Sequence, residues 1–324
     1  MGIFDKRINL KPLEYPILYD FVDAIDHSFW THNEFNYQSD IQDYHINLTD
    51  IEKNCVKNAL LAISQIEISV KRFWLNLYNQ FPKPEFDALG ATFGHNEVIH
   101  QRAYSHILEL LGLNEEFENL KNIECIQGRI DYLSKYLKNA SSDKKELYIL
   151  TLTLFSLFIE NTSLFSQFFI VKSFNKQKNL FKGIDNVIQA SSKEENIHAT
   201  AGAYIASLVK KEFPDMFNEE FYNSIKRACK KAYEAELKII DWIFEKGEPS
   251  FLSKGIVLEY LKHRFNKSLE MIGIEALFDV NKDILKHSEW FDIEVLSENH
   301  TDFFHKTPTA YSKKTRSITG NDIF

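Results

Sequence analysis

Along most of this chain the apolar positions recur in steps of three and four, the period of a helix with one face turned inward. A capping box at Thr49 and Glu52 opens one such run, which lasts to about Gln80, where Pro82 and Pro84 stop it. Further helices are predicted over 85–112, 128–138, 143–174, 184–211, 218–246 and 253–272. No strictly alternating stretch competes with them, so the fold class is all-α, a helical bundle. Pro12 and Pro16 break the period earlier, which makes residues 1–47 an extended, aromatic-rich arm with a short helix near Tyr19 to Phe29. Residues 48–299 form the helical domain. The period is lost again in HTDFFHKTPTAYSKKTRSITGNDIF, so residues 300–324 are expected to be a mobile tail with an apolar end at Ile323 and Phe324.

The inward stripes of four long helices share an anomaly. The first carries Val56, Leu60, Ile63, Glu67, Val70, Trp74 and Leu77, with Glu67 its only charge. The second carries Phe93, Glu97, His100, Tyr104, Ile107 and Leu111. On the third, Glu160 stands alone among Leu150, Thr153, Leu157, Leu164 and Val171, and the fourth reads Ile184, Ile188, Ser191, Glu195, His198, Gly202, Ile205 and Val209. Each stripe therefore buries a carboxylate, and two add a histidine three residues on, beside the carboxylate on the same face.

Composition changes this picture little. The hydrophobic share of 44% and only 11 Gly and 7 Pro suit a large helical core. A net charge of -8 argues against a general nucleic-acid binder. Cys55, Cys125 and Cys229 are far apart and form no CxxC pair, which suits a reducing compartment and offers no thiolate metal site. The opening MGIFDKRINLKPLEYP lacks the apolar core of a signal peptide, so a cytoplasmic location is expected. One stretch, Leu147 to Val171, has the length and apolarity of a membrane span. Its mid-segment Glu160 would cost about 2.5 to 3.5 kcal/mol there, so it is read as a buried core helix.

Four carboxylates brought together in a core repel unless protonated or neutralised. Two divalent cations balance four Glu, and two His complete a ligand set suited to iron or manganese. One Glu from each of two helices and Glu-x-x-His from each of two more is the known dinuclear-metal pattern of ferritin-like bundles. Chance alone supplies a Glu-x-x-His in a chain this rich in both residues; position on apolar stripes, in matching order, is what discriminates. Glu194 competes with Glu195 for His198, being four residues away, but the stripe favours Glu195. His95 and His106 fall off the Glu97 stripe.

SFWTHNEFNYQSDIQDY, NEVIHQRAYSHIL, LFIENTSLFSQFF, KEENIHA and the ending NDIF together resemble, in order and over nearly the whole chain, the radical-generating small subunit of class I ribonucleotide reductase. The resemblance implies a ferritin-like homodimer with two transition-metal ions per chain, as Fe/Fe, Mn/Fe or Mn/Mn, held by Glu67, Glu97, His100, Glu160, Glu195 and His198. It implies that an oxygen species activates the centre, which stores a one-electron oxidant for a separate large subunit that reduces ribonucleotides. Tyr104 takes the place of the radical tyrosine, and Trp30, Glu194 and Tyr311 those of a transfer path toward that partner. The tail would dock on the large subunit, and an activating flavoprotein is a further partner consistent with the family. Glu67 departs from the Asp of many members; Glu occurs here in iron-manganese or dimanganese branches, some of which store the oxidant on the metals instead of a tyrosine. The rival functions are a ferritin-like oxidase or hydroxylase acting on a small apolar substrate, and a metal-free structural bundle.

Overall fold

The computed structural model describes residues 2–295, and the tail reading, with Tyr311, Ile323 and Phe324, lies outside the described residues. Among the described residues every regular element is helical. The longer ones are α1 (Ile17–Ser28), α2 (Gln38–Ile46), α3 (Asp50–Leu75), α4 (Pro84–Leu111), α5 (Glu124–Asn139), α6 (Lys145–Lys178), α7 (Lys182–Glu212), α8 (Glu219–Ile243) and α9 (Lys254–Met271). The capping box starts α3 as expected: Thr49 N–H donates to Glu52 Oε2 at 2.9 Å, and Glu52 N–H donates to Thr49 Oγ1 at 3.3 Å. The predicted run to Gln80 divides at Asn76, whose side-chain amide donates to the Ala140 carbonyl, and a separate turn covers Leu77–Gln80.

α3 packs along α4, and α6 along α7, so the two pairs face each other across one core. Gly202 of α7 allows the second pair to approach closely, since a Cβ there would lie 2.2 Å from Ser156 Oγ. The apolar window of α6 is 89% buried within the bundle, as a core helix should be.

The middle of α6, Leu154–Leu164, is wound as a π-helix. Side chains of α9 brace this wider winding at its carbonyls. Ser268 Oγ donates to Leu157 O at 2.9 Å, and Arg264 Nε donates to Asn161 O at 2.9 Å. Thr162 Oγ1 also reaches Leu157 O, at 2.9 Å. Glu160 lies inside this braced stretch.

α2 falls within the segment read as an arm. Its inward side is polar because it meets the start of α7: Phe181 N–H donates to Asp43 Oδ2 at 2.9 Å and Gly183 N–H to Asp40 at 3.0 Å. Two carboxylates thus satisfy exposed amides at the positive end of a long helix. Gly183 has no room for a side chain, since a Cβ would lie 2.4 Å from Asn36 O and from Asp40 Oδ2.

Candidate metal centre

The four anomalous stripes converge. Glu67 from α3, Glu97 and His100 from α4, Glu160 from α6, and Glu195 and His198 from α7 are all fully buried. They form two interleaved groups, Glu67–Glu97–His100–Glu195 and Glu97–Glu160–Glu195–His198, each with its ligand atoms within 4.8 Å of one another. His100 Nδ1 lies 3.0 Å from Glu195 Oε1, 3.6 Å from Glu97 Oε2 and 4.0 Å from Glu67 Oε2. His198 Nδ1 lies 3.0 Å from Glu97 Oε1, 3.4 Å from Glu195 Oε2 and 3.7 Å from Glu160 Oε2.

These atoms are close but unsatisfied. Among the described residues, both oxygens of Glu67, Glu97 and Glu195, Oε2 of Glu160 and Nδ1 of both histidines lack a hydrogen-bond partner. A native core rarely leaves so many buried polar atoms unpaired in one place, and a shared cation is what such a set lacks. The donor set of oxygen and imidazole nitrogen, without thiolate, fits iron or manganese.

The electrostatics tell the same story. Burial pushes the Glu67 carboxyl well above the usual carboxylate range; His100 opposes this, while Glu97 and Glu195 add to it. Burial likewise raises Glu160, with Glu195 adding to the effect. For Glu97 the burial cost is outweighed by contacts with His100 and His198, which bring it down to about 2. Burial disfavours charge on the histidines too, yet the carboxylates prevail: His100 is held well above its ordinary value by Glu194, Glu195 and Glu97, and His198 is raised to about 10 by Glu195, Glu97 and Glu160.

Around this core the two sides differ. On the His100 side, Nε2–H donates to Glu194 Oε2 at 2.7 Å, and the same oxygen accepts from Trp30 Nε1–H at 2.9 Å. Ser28 Oγ donates to the other Glu194 oxygen at 3.0 Å. Glu194 is thus outside both ligand groups and joins Trp30 to His100. Tyr104, one turn beyond His100, is 1% exposed; burial and then Glu67 push its phenol well above the ordinary value. Its Oη is 2.8 Å from Ser191 Oγ. On the His198 side, Trp74 Nε1–H donates to Glu160 Oε1 at 2.7 Å, and the rings of Phe93 and Trp74 lie 4.2 and 5.6 Å from the imidazole. His95, off the stripe, is exposed, and His106 is half-buried.

Ser191, Trp74 and Ser28 were not singled out for chemistry from sequence. Trp74 does share a stripe with Glu67, seven residues away, which is the one signal that could have marked it.

The model of the family described as ribonucleotide reductase, small chain, matches residues 7–284. The chain belongs to that family. Curated relatives of this small-chain family include a probable ribonucleoside-diphosphate reductase small subunit of Invertebrate iridescent virus 3, 27% identical over 97% of this chain and 86% of the relative. The ribonucleoside-diphosphate reductase subunit beta of Treponema pallidum is 22% identical over 94% and 88%. The fold is shared with the ribonucleotide reductase R2 subunit from Clostridium botulinum, at a TM-score of 0.80, 19% identity, and 89% and 91% coverage. It is shared too with dimanganese(II)-NrdF of Streptococcus sanguinis, at 0.70, 18%, and 88% and 99%. These neighbours establish a ferritin-like helical architecture, and family membership makes this chain a small chain of ribonucleotide reductase.

Proposed function

We propose that Glu67, Glu97, His100, Glu160, Glu195 and His198 hold two transition-metal ions, as Fe/Fe, Mn/Fe or Mn/Mn, within the domain spanning residues 48–299. The single observation that carries this is the pair of interleaved, hydrogen-bond-starved ligand groups sharing Glu97 and Glu195. A metal pair of this kind, met by an oxygen species, supplies a one-electron oxidant.

The remaining roles belong to the chain itself. Tyr104 is positioned to lose an electron and a proton in an apolar pocket that excludes water, with Phe168 stacked 6.3 Å away. Glu194 fixes the outer nitrogen of His100, as partners of metal-bound imidazoles do. Through the same carboxylate it connects Trp30, so Trp30–Glu194–His100 is the inner stretch of a transfer path. Tyr311 in the tail continues that path, and residues 300–324 carry docking on the large subunit, which binds the ribonucleotide. The working form is a homodimer in the cytoplasm, alone or with an activating flavoprotein.

Electron paramagnetic resonance after loading iron, manganese or both, and exposure to oxygen or superoxide, tests the centre. A tyrosyl signal that disappears in Tyr104→Phe assigns the oxidant to Tyr104; ribonucleotide reduction that survives the substitution assigns it to the metals. Deleting residues 305–324 should abolish reduction with the large subunit while metal oxidation persists. Retained reduction would defeat the docking role of the tail.

A further inference from the structure

Tyr104 Oη is 2.8 Å from Ser191 Oγ, and Ser191 Oγ is 3.0 Å from Val187 O, one turn back on α7. Both side chains are buried. A carbonyl oxygen can only accept, so both contacts are hydrogen bonds at once only when the serine hydrogen lies on Val187 O and the phenol donates in the other bond. The reduced state therefore has one consistent orientation: Tyr104 O–H to Ser191 Oγ, and Ser191 O–H to Val187 O.

Removing the phenolic hydrogen inverts this requirement. A phenoxyl oxygen has nothing to donate, and facing it with serine lone pairs would leave two acceptors 2.8 Å apart. Val187 O already serves the main-chain ladder of α7, where the N–H four residues on is that of Ser191. The serine bond to it is a dispensable second one. Rotation about one Cβ–Oγ bond therefore turns the Ser191 hydrogen from Val187 O to the Tyr104 oxygen without displacing any heavy atom.

We propose that Ser191 is a two-position hydrogen-bond partner for Tyr104, accepting from the phenol before oxidation and donating to the phenoxyl oxygen after it. This rests on the reading of Tyr104 as the oxidised residue. In the oxidation, Tyr104 would give one electron and its phenolic proton to the oxygen species, which ends as water once the reduced metal pair and an external reductant have supplied the other electrons and solvent the other protons. Ser191 neither gains nor loses a proton; it reorients. Its role is positioning: it keeps the tyrosine oxygen hydrogen-bonded in both states, which an alanine at 191 would not.

The test is electron–nuclear double resonance with high-field electron paramagnetic resonance on the metal-loaded, oxidised full chain after exchange into D2O. The expected result is an exchangeable hyperfine coupling to the tyrosyl oxygen. It should be lost in Ser191→Ala, with the largest g value moving upward, and kept in Ser191→Thr, which retains the hydroxyl. In metal-free protein, the ultraviolet resonance Raman difference between the unsubstituted chain and Tyr104→Phe should show a donating phenol, shifted by Ser191→Ala. A tyrosyl radical without an exchangeable coupling, or one unchanged in Ser191→Ala, overturns the proposal while the Tyr104 reading stands. A radical that survives Tyr104→Phe, or an unsubstituted chain that forms none, overturns the Tyr104 reading and the proposal with it.

Discussion

The two ends of the buried cluster are built from the same residue types but finished differently. At the His100 end the imidazole continues outward through Glu194 to Trp30, and a phenol sits one turn away. At the His198 end, Nε2 has no hydrogen-bond partner among the described residues, and the rings of Phe93 and Trp74 pack against the imidazole. One end is connected by polar contacts and the other is closed by rings. Similar side chains are thus backed by different groups at the two ends.

The two ends should fail together at the residues they share. Glu97→Ala and Glu195→Ala should each empty the whole centre, whereas Glu67→Ala should weaken only the His100 end; elemental analysis after reconstitution separates these, and full metal content in either shared-residue variant would refute the arrangement. Next in size is Glu194→Gln, which keeps the shape but removes the charge behind His100. Losing such a supporting partner typically costs roughly 10- to 100-fold, so ribonucleotide reduction with the large subunit should fall by that much while metal content stays near normal. A matching loss of metal would instead make Glu194 a ligand.

Trp74→Phe probes the closed end. It leaves Glu160 Oε1 buried without its donor, a loss worth about 1 to 3 kcal/mol. Thermal melts of the metal-free chain should show the drop, and an unchanged midpoint would mean that Glu160 had no need of the indole. The smallest effect on the centre is expected from Ser268→Ala, which removes the hydroxyl that donates to Leu157 O and accepts from Asn161 Nδ2 of the π-segment, about 1 kcal/mol for each bond, with metal content retained.

The whole cluster should also respond to pH with a definite sign. Burial raises the Glu67 and Glu160 carboxyls, and neighbouring carboxylates raise both histidines, so the metal-free centre retains protons that the free side chains would have released. Cations must displace them; loading should release protons, and apparent affinity should strengthen as pH rises. Calorimetry in two buffers of different ionisation enthalpy counts those protons, and a count of zero near neutral pH would contradict the electrostatics described above.

The buried cluster is legible in sequence because a lone carboxylate on an apolar stripe costs too much to be incidental, and four stripes carry one. The helices that bear them were legible from the same period. α2 was not, since its buried positions include Asp40 and Asp43, and a polar inward face has no hydrophobic period to detect. Nor was the π-winding around Glu160: LFSLFIENTSL is buried at every position, so no face exists whose rotation would betray the wider turn. The break at Asn76 was hidden because Trp74 and Leu77, on either side, continue one stripe. Ser191 looked like a small core residue, because what matters about it is a partner 87 positions away.

Asp40 and Asp43 lie outside both ligand groups, yet they hold the first turn of the helix that carries Ser191, Glu194, Glu195 and His198. In a helix each residue added turns everything beyond it by about 100°. A single insertion between Gly183 and Ser191 would swing all four groups away from their partners while leaving the anchor intact. That span of α7 should therefore tolerate exchanges of side chain far better than any change in length.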